Sequence, residues 1–165
     1  MKLKLMENLY AMELSVALAA EKKSLRVMPK LAKAAQNEEL KDLMEKHAKE
    51  TEQQVKQLEK LAQRFGSKAK NGLIISALLE ELESTLKMDG EPEVLQAALI
   101  VGAQKLEHHE IGCYSTLQLM AQGLNLPQDA KAIGRILEQE TSMSDELFAL
   151  TEALEMEAVE AEAVA

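Results

Sequence analysis

The sequence predicts an all-α protein: a bundle of four long helices, with a short additional helix in the long crossover between the second and third. Three observations predict it. Ala, Leu, Glu, Lys, Met and Gln dominate, aromatics make up only 2% and Trp is absent, a mixture that favours helix and gives strands little to pack. Apolar residues recur at helical spacing rather than in alternation along four long stretches. Between those stretches stand residues that start and stop helices, namely Asn37, Gly66, Gly90, Pro92, Gly123 and Pro127.

The first helix spans about Glu7 to Ala35, with Leu9, Tyr10, Val16, Ala17, Ala20, Met28 and Leu31 on its apolar stripe. Glu21 lies in the middle of that stripe, and Pro29 inside the pattern predicts a bend. Asn37 is the expected N-cap of the second helix, which has Glu38 and Glu39 in its first turn and Gly66 as its C-terminal stop. Its stripe is apolar at both ends but polar in the middle, where His47, Glu50 and Gln54 stand. A polar linker from Gly66 to Gly72 leads to a shorter amphipathic helix, Leu73 to Lys87. Pro92 opens the third long helix in a first-turn position. That helix runs to about Gln122, with Gly123 ending it, and Pro127 opens the fourth. The fourth stripe reads Ile133, Ile136/Leu137, Glu140, Met143/Ser144, Leu147, Leu150 and Leu154, again with one glutamate among apolar residues. Residues 1–155 form the expected bundle. Residues 156–165 form an acidic Ala/Glu tail that has little to bury and is expected to fray.

The chain of 165 residues suits one domain. A formal charge of -9 argues against nucleic acid and anionic membrane and favours cations or basic partners. One cysteine, Cys113, forms no intramolecular disulfide. The N-terminus places Glu7 and Asn8 where a signal peptide would continue apolar, and no stretch is long and apolar enough to span a membrane. A cytoplasmic location is the expectation.

Each long helix carries a carboxylate in mid-stripe: Glu21, Glu50, Glu107 with Glu110, and Glu140. Glu107, Glu110 and Tyr114 fall at i, i+3 and i+7 and share one side of the third helix with Leu99, Ala103, Leu106 and Leu117. Taken singly, each glutamate reads as a helix-favouring residue at the edge of a core. Together they sit at matching depths, because Glu21 and Glu50 are about as far apart in sequence as Glu107 and Glu140. Two facing antiparallel hairpins bring them to one level. Buried carboxylates without partners are strongly unfavourable, and a divalent metal is the usual answer to such a cluster. Paired hairpins, a long crossover and inward carboxylates from all four helices make the ferritin-like arrangement.

The segments Leu-Ala-Ala-Glu-Lys-Lys-Ser-Leu (18–25), Pro29-Lys30-Leu31-Ala32, His47-Ala-Lys-Glu50-Thr51, Ala98-Leu99-Ile100, Ala103-Gln104-Lys105-Leu106-Glu107-His108-His109-Glu110-Ile111 and Tyr114-Ser-Thr-Leu117 resemble the YciE/YciF family of bacterial stress-associated, ferritin-like proteins. The resemblance covers Glu7 to about Leu150 and is most specific in the segment around Glu107. It implies a rubrerythrin-like bundle, often paired as a homodimer, with a carboxylate-rich centre of one or two metal ions at Glu21, Glu50, Glu107, Glu110 and Glu140. His47, Gln54 and Tyr114 are the implied supporting or weaker ligands. Di-iron bundles usually carry His three residues after the second- and fourth-helix glutamates, and here those positions are Gln53 and Met143. His47 precedes Glu50 by one turn instead, and Ser144 stands where an acidic residue is often found. An oxygen-rich donor set suits iron, or alternatively manganese, over zinc.

The functional expectation is a stress-associated protein with a metal centre that handles iron, peroxide or oxygen; no catalytic residue and no reaction is assigned. The alternative is a structural or protein-interaction bundle without metal, its carboxylates protonated or bonded to Lys105, Tyr114 and His47. His108 and His109, adjacent on a helix, cannot both face the cluster and read as surface or interhelical groups. Cys113 reads as a buried, unreactive thiol, and the nine methionines as core filler.

Overall fold

A computed structural model describes the backbone of residues 5–66 and 72–164 and side chains as far as residue 153. The described residues form five helices and no strand: α1 (Met6–Ala34), α2 (Glu38–Arg64), α3 (Leu73–Thr85), α4 (Pro92–Gly123) and α5 (Pro127–Val164). The expected bundle with its short crossover helix is the fold. Most of the expected linker, residues 67–71, lies outside the described residues, as does the side chain of Leu154.

The helix ends follow their local chemistry. The Asn37 side chain accepts from the Leu40 backbone N–H and caps α2. Gly66, just past the end of α2, takes a positive φ of 62°, which glycine adopts without a Cβ penalty. The stop between α4 and α5 differs from expectation: Gly123 stays in the helix and Asn125 takes the left-handed conformation, φ 58°. There the Leu126 N–H reaches back to the Ala121 carbonyl at 2.9 Å, and Asn is the non-glycine residue that best tolerates this cap. α1 continues through Pro29 to Ala34. The backbone of α5 runs on through the Glu/Ala segment to Val164, in keeping with the high helix propensity of both residues.

α1 packs on α2 and α4 on α5, and the two hairpins meet through α1 against α4 and α2 against α5. α3 lies across the α1–α4 side. Lys23 donates to Ser76 Oγ at 2.5 Å, Lys30 pairs with Glu83, and Lys105 with Glu81. Leu82 of α3 lies so close to Gly102 of α4 that a Cβ there would collide with it. Lys105 is therefore engaged at the surface and does not answer the buried carboxylates.

The bundle core is split along its length. One apolar cluster gathers Val27, Leu31, Leu40, Met44, Leu79, Leu82, Leu99, Ile100, Leu106 and Leu147. The other gathers Tyr10, Leu14, Leu18, Leu58, Leu117, Ile133 and Ile136. Each fully buried leucine in them contributes about 2 kcal/mol. On every long helix the residues between the two clusters are polar and buried: Glu21 and Ser24, His47, Thr51 and Gln54, Glu107 and Glu110, Glu140 and Ser144.

Candidate metal centre

That polar layer follows from helical register: the two clusters occupy the ends of each stripe, and the middle turns of all four helices face one another at one level. One donor atom from each of His47, Glu107, Glu110 and Glu140 lies within 4.8 Å of the others, and all four residues are buried. His47 Nε2 is 3.5 Å from Glu107 Oε1 and 3.4 Å from Glu140 Oε2. Glu107 and Glu140 face each other closely enough to interact carboxyl to carboxyl. Glu110 accepts from Ser24 Oγ at 3.0 Å, and Glu140 accepts from Gln54 Nε2 at 2.7 Å.

Glu21 and Glu50 border this set of four without belonging to it. Glu21 is buried and accepts from the Tyr114 hydroxyl across the α1–α4 interface. Glu50 keeps a side chain 28% exposed, with Oε2 3.7 Å from His47 Nδ1. His47, expected as a supporting group, lies among the four central donors. Of the other two expected supporting groups, Gln54 donates to Glu140 of the cluster and Tyr114 to Glu21 outside it.

The electrostatics of the layer are dominated by desolvation. Burial pushes the Glu21 carboxyl up to about 7, against the opposing effect of the Tyr114 hydrogen bond. Glu107, Glu110 and Glu140 are raised well above the ordinary carboxylate range, first by burial and then by one another's charge and that of Glu21. Tyr114 is raised by burial and by the surrounding carboxylates. Glu50 is lowered, chiefly by His47 beside it.

Both ring nitrogens of His47, Glu107 Oε2, Glu140 Oε2 and Gln54 Oε1 are buried without any hydrogen-bond partner. Orphaned buried acceptors are costly. A cation among these donors would satisfy lone pairs that the protein leaves unpaired, so the residues fit a metal ion. In its absence, protonation lowers the cost of the carboxylates.

A second buried carboxylate cluster was not legible in the sequence. Asp129, at the start of α5, is buried; it accepts from the Tyr10 hydroxyl at 3.0 Å and pairs with Arg64. Tyr10 and Arg64 both pack on Phe65. Asp129 looks like any acidic first-turn residue, and only the return of α5 beside the end of α2 reveals its partners. Ser24, three residues after Glu21 on the same stripe, carried the one sequence signal that points to the Glu110 contact. His108 and His109 stay out of the layer, as expected: His108 lies against Phe148 and His109 beside Cys113. The Cys113 thiol is half-buried rather than fully buried, and burial pushes it up to about 11, so it stays protonated.

No helix among the described residues is long and apolar enough to cross a membrane. Residues 5–161 match the family described as Domain of unknown function (DUF892). Protein YciF of Escherichia coli K12 is 33% identical over 143 residues, 85% of this chain and 86% of YciF. The crystal structure of the E. coli stress protein YciF superposes with a TM-score of 0.86 at 32% identity, covering 92% of this chain and 98% of that one. YcfI of Rhodopseudomonas palustris, provisionally ascribed a structural role, superposes with a TM-score of 0.84 at 27% identity, covering 88% and 94%. A Xanthomonas campestris protein at 22% identity shares the fold, with a TM-score of 0.76 over 96% of this chain and 99% of its own. The chain thus belongs to the DUF892 family, that of the YciF-like ferritin-like helical bundles.

Proposed function

We propose that the polar layer holds a divalent cation, ligated by His47, Glu107, Glu110 and Glu140, and that the protein serves redox or storage chemistry on iron, peroxide or oxygen under stress. The observation that carries this reading is the orphaned His47 ring among three buried carboxylates. A merely structural layer would give that imidazole a partner, as Asp129 is given two. Three carboxylates and one imidazole suit ferrous or manganous ion, and the E. coli relative is described as a stress protein. Glu21 lies next to the four and is the further ligand for a second ion. When bound, the metal supplies redox or Lewis-acid chemistry. The chain's own part is to hold the carboxylates in place through Ser24, Gln54 and Tyr114 and to keep the layer buried between two apolar clusters.

The homodimer belongs to the same proposal. Val101 and Phe148 are exposed on the packed helices α4 and α5, and His108, two turns along α4 from Val101 on the same face, lies against Phe148; exposed apolar side chains of this kind suit a partner subunit. A cytoplasmic site of action fits the reading.

Metal analysis of untagged protein, with mass by light scattering, tests both parts. One to two iron or manganese ions per chain and a dimer mass are expected. Glu107→Ala should abolish metal retention while circular dichroism stays helical. Absence of metal, with no uptake of added ferrous or manganous ion, would sink the reading. It would leave the metal-free bundle, which the raised carboxylates and the structural role ascribed to YcfI favour.

A further inference from the structure

The polar layer is not equally covered on its two sides. On the α1–α4 side α3 is strapped down by Lys23, Lys30 and Lys105. On the α2–α5 side a groove of about 370 Å³ is lined by Glu50, Arg135, Glu138, Gln139 and Ser142. Two of these residues connect directly inward. Glu50 Oε2 is 3.7 Å from His47 Nδ1, a buried nitrogen without a hydrogen-bond partner. Gln139 Oε1 accepts at 3.2 Å from Gln54 Nε2, which also donates to Glu140, while Gln54 Oε1 is buried and unpartnered. The groove therefore meets the layer through two side chains, each backed by a nine-tenths buried group with an unanswered polar atom. The groove between α1 and α4, lined by Glu13, His108, His109 and Cys113, contains no residue of the layer.

We infer that the α2–α5 groove is the entry route for cations to the buried cluster, with Glu50 as a transit ligand at its inner end rather than a resident one. Glu50 has the properties this needs. It is part-exposed, so it meets a hydrated ion from solvent, and it touches His47, so it hands that ion to the first of the buried donors. Glu50 and Glu138 outnumber Arg135, so the groove is net negative, and a net negative groove raises the local concentration of cations. Gln139 and Gln54, hydrogen-bonded to each other, form a neutral wall that parts without breaking an ion pair.

The inference rests on the cation reading above, and kinetics separates the two. Manganous ion is added to the metal-free full-length protein, samples are desalted at intervals, and bound manganese is counted; release into excess chelator is followed likewise. Glu50→Gln should slow uptake and release alike, by about tenfold or more, while manganese held at equilibrium stays that of the parent protein. Glu13→Gln, the same charge change at the other groove, should leave both rates unchanged. Unchanged rates in Glu50→Gln would overturn the route while leaving the cation reading intact. Lower equilibrium occupancy would make Glu50 a resident ligand and overturn it too, as would equal slowing by Glu13→Gln. Failure of the parent protein to take up manganese at any time would overturn both.

Discussion

Two buried carboxylate clusters sit in one bundle and are treated in opposite ways. Asp129 is fully answered: a tyrosine hydroxyl donates to one oxygen and a guanidinium pairs with the other. The Glu107, Glu110 and Glu140 group is answered in part, by Ser24 and Gln54, and leaves two carboxylate oxygens and both His47 nitrogens unmatched. Neither apolar packing nor helix register forces the second arrangement, since the same chain supplies complete partners to Asp129, about 16 Å along α5 from Glu140. A buried charge that fastens structure is given its counter-charge by the protein. One that awaits something else is left short.

The comparison breaks first on pH. A carboxyl whose folded value lies above its unfolded one binds more protons folded than unfolded between the two, so its contribution is complete below the lower value and is lost as pH rises through the higher. For Glu21, between 4.5 and about 7, that loss is about 3 kcal/mol, and Glu107, Glu110 and Glu140 are shifted the same way. Metal-free protein should therefore resist urea better at pH 5 than at pH 7.5. Saturating manganous ion should reverse the order, because the cation competes with protons for the same oxygens. Metal-free protein that gains stability from pH 5 to 7.5 would show the carboxyls to be ionised and paired after all.

Mutation at the answered cluster comes next. Arg64→Ala strips Asp129 of its counter-charge and should cost about 2 kcal/mol, less than for a fully buried pair because Arg64 is half-exposed. Urea unfolding measures it, and a loss within error would mean that the Tyr10 hydroxyl suffices. The smallest effect has the opposite sign. Glu140→Gln keeps the shape and the acceptor that Gln54 uses but removes an ionisable group from the layer, so metal-free protein at pH 7.5 should gain about 1 kcal/mol while losing cation binding. A destabilised Glu140→Gln would place Glu140 with Asp129, as a structural carboxylate.

The sequence made the fold and the level of the polar layer legible because both depend on periodicity: each glutamate interrupts an apolar stripe at its midpoint, and register does the rest. What stayed hidden was side-chain reach. His47 and Glu50 are both on the inner side of α2, and nothing in their spacing says that the imidazole lies among the carboxylates while Glu50 stays part-exposed at the edge of the layer. Tyr114 lies one turn past Glu110 on its own helix, yet it serves Glu21 on another. Asn125 is hidden behind Gly123 because glycine is the commoner left-handed stop, yet it is Asn125 that takes the positive φ where Leu126 bonds back to Ala121.

His47 comes from the first hairpin, while Glu107, Glu110 and Glu140 come from the second. Neither hairpin alone possesses the set, so the set exists only after the two have docked. Whatever binds across that seam acts on the rate at which the halves separate, more than on the rate at which each forms, since local hairpins precede their docking. If a cation fills the layer as proposed, its occupancy sets how long the folded protein lasts, and withholding the ion would shorten that lifetime without altering a residue.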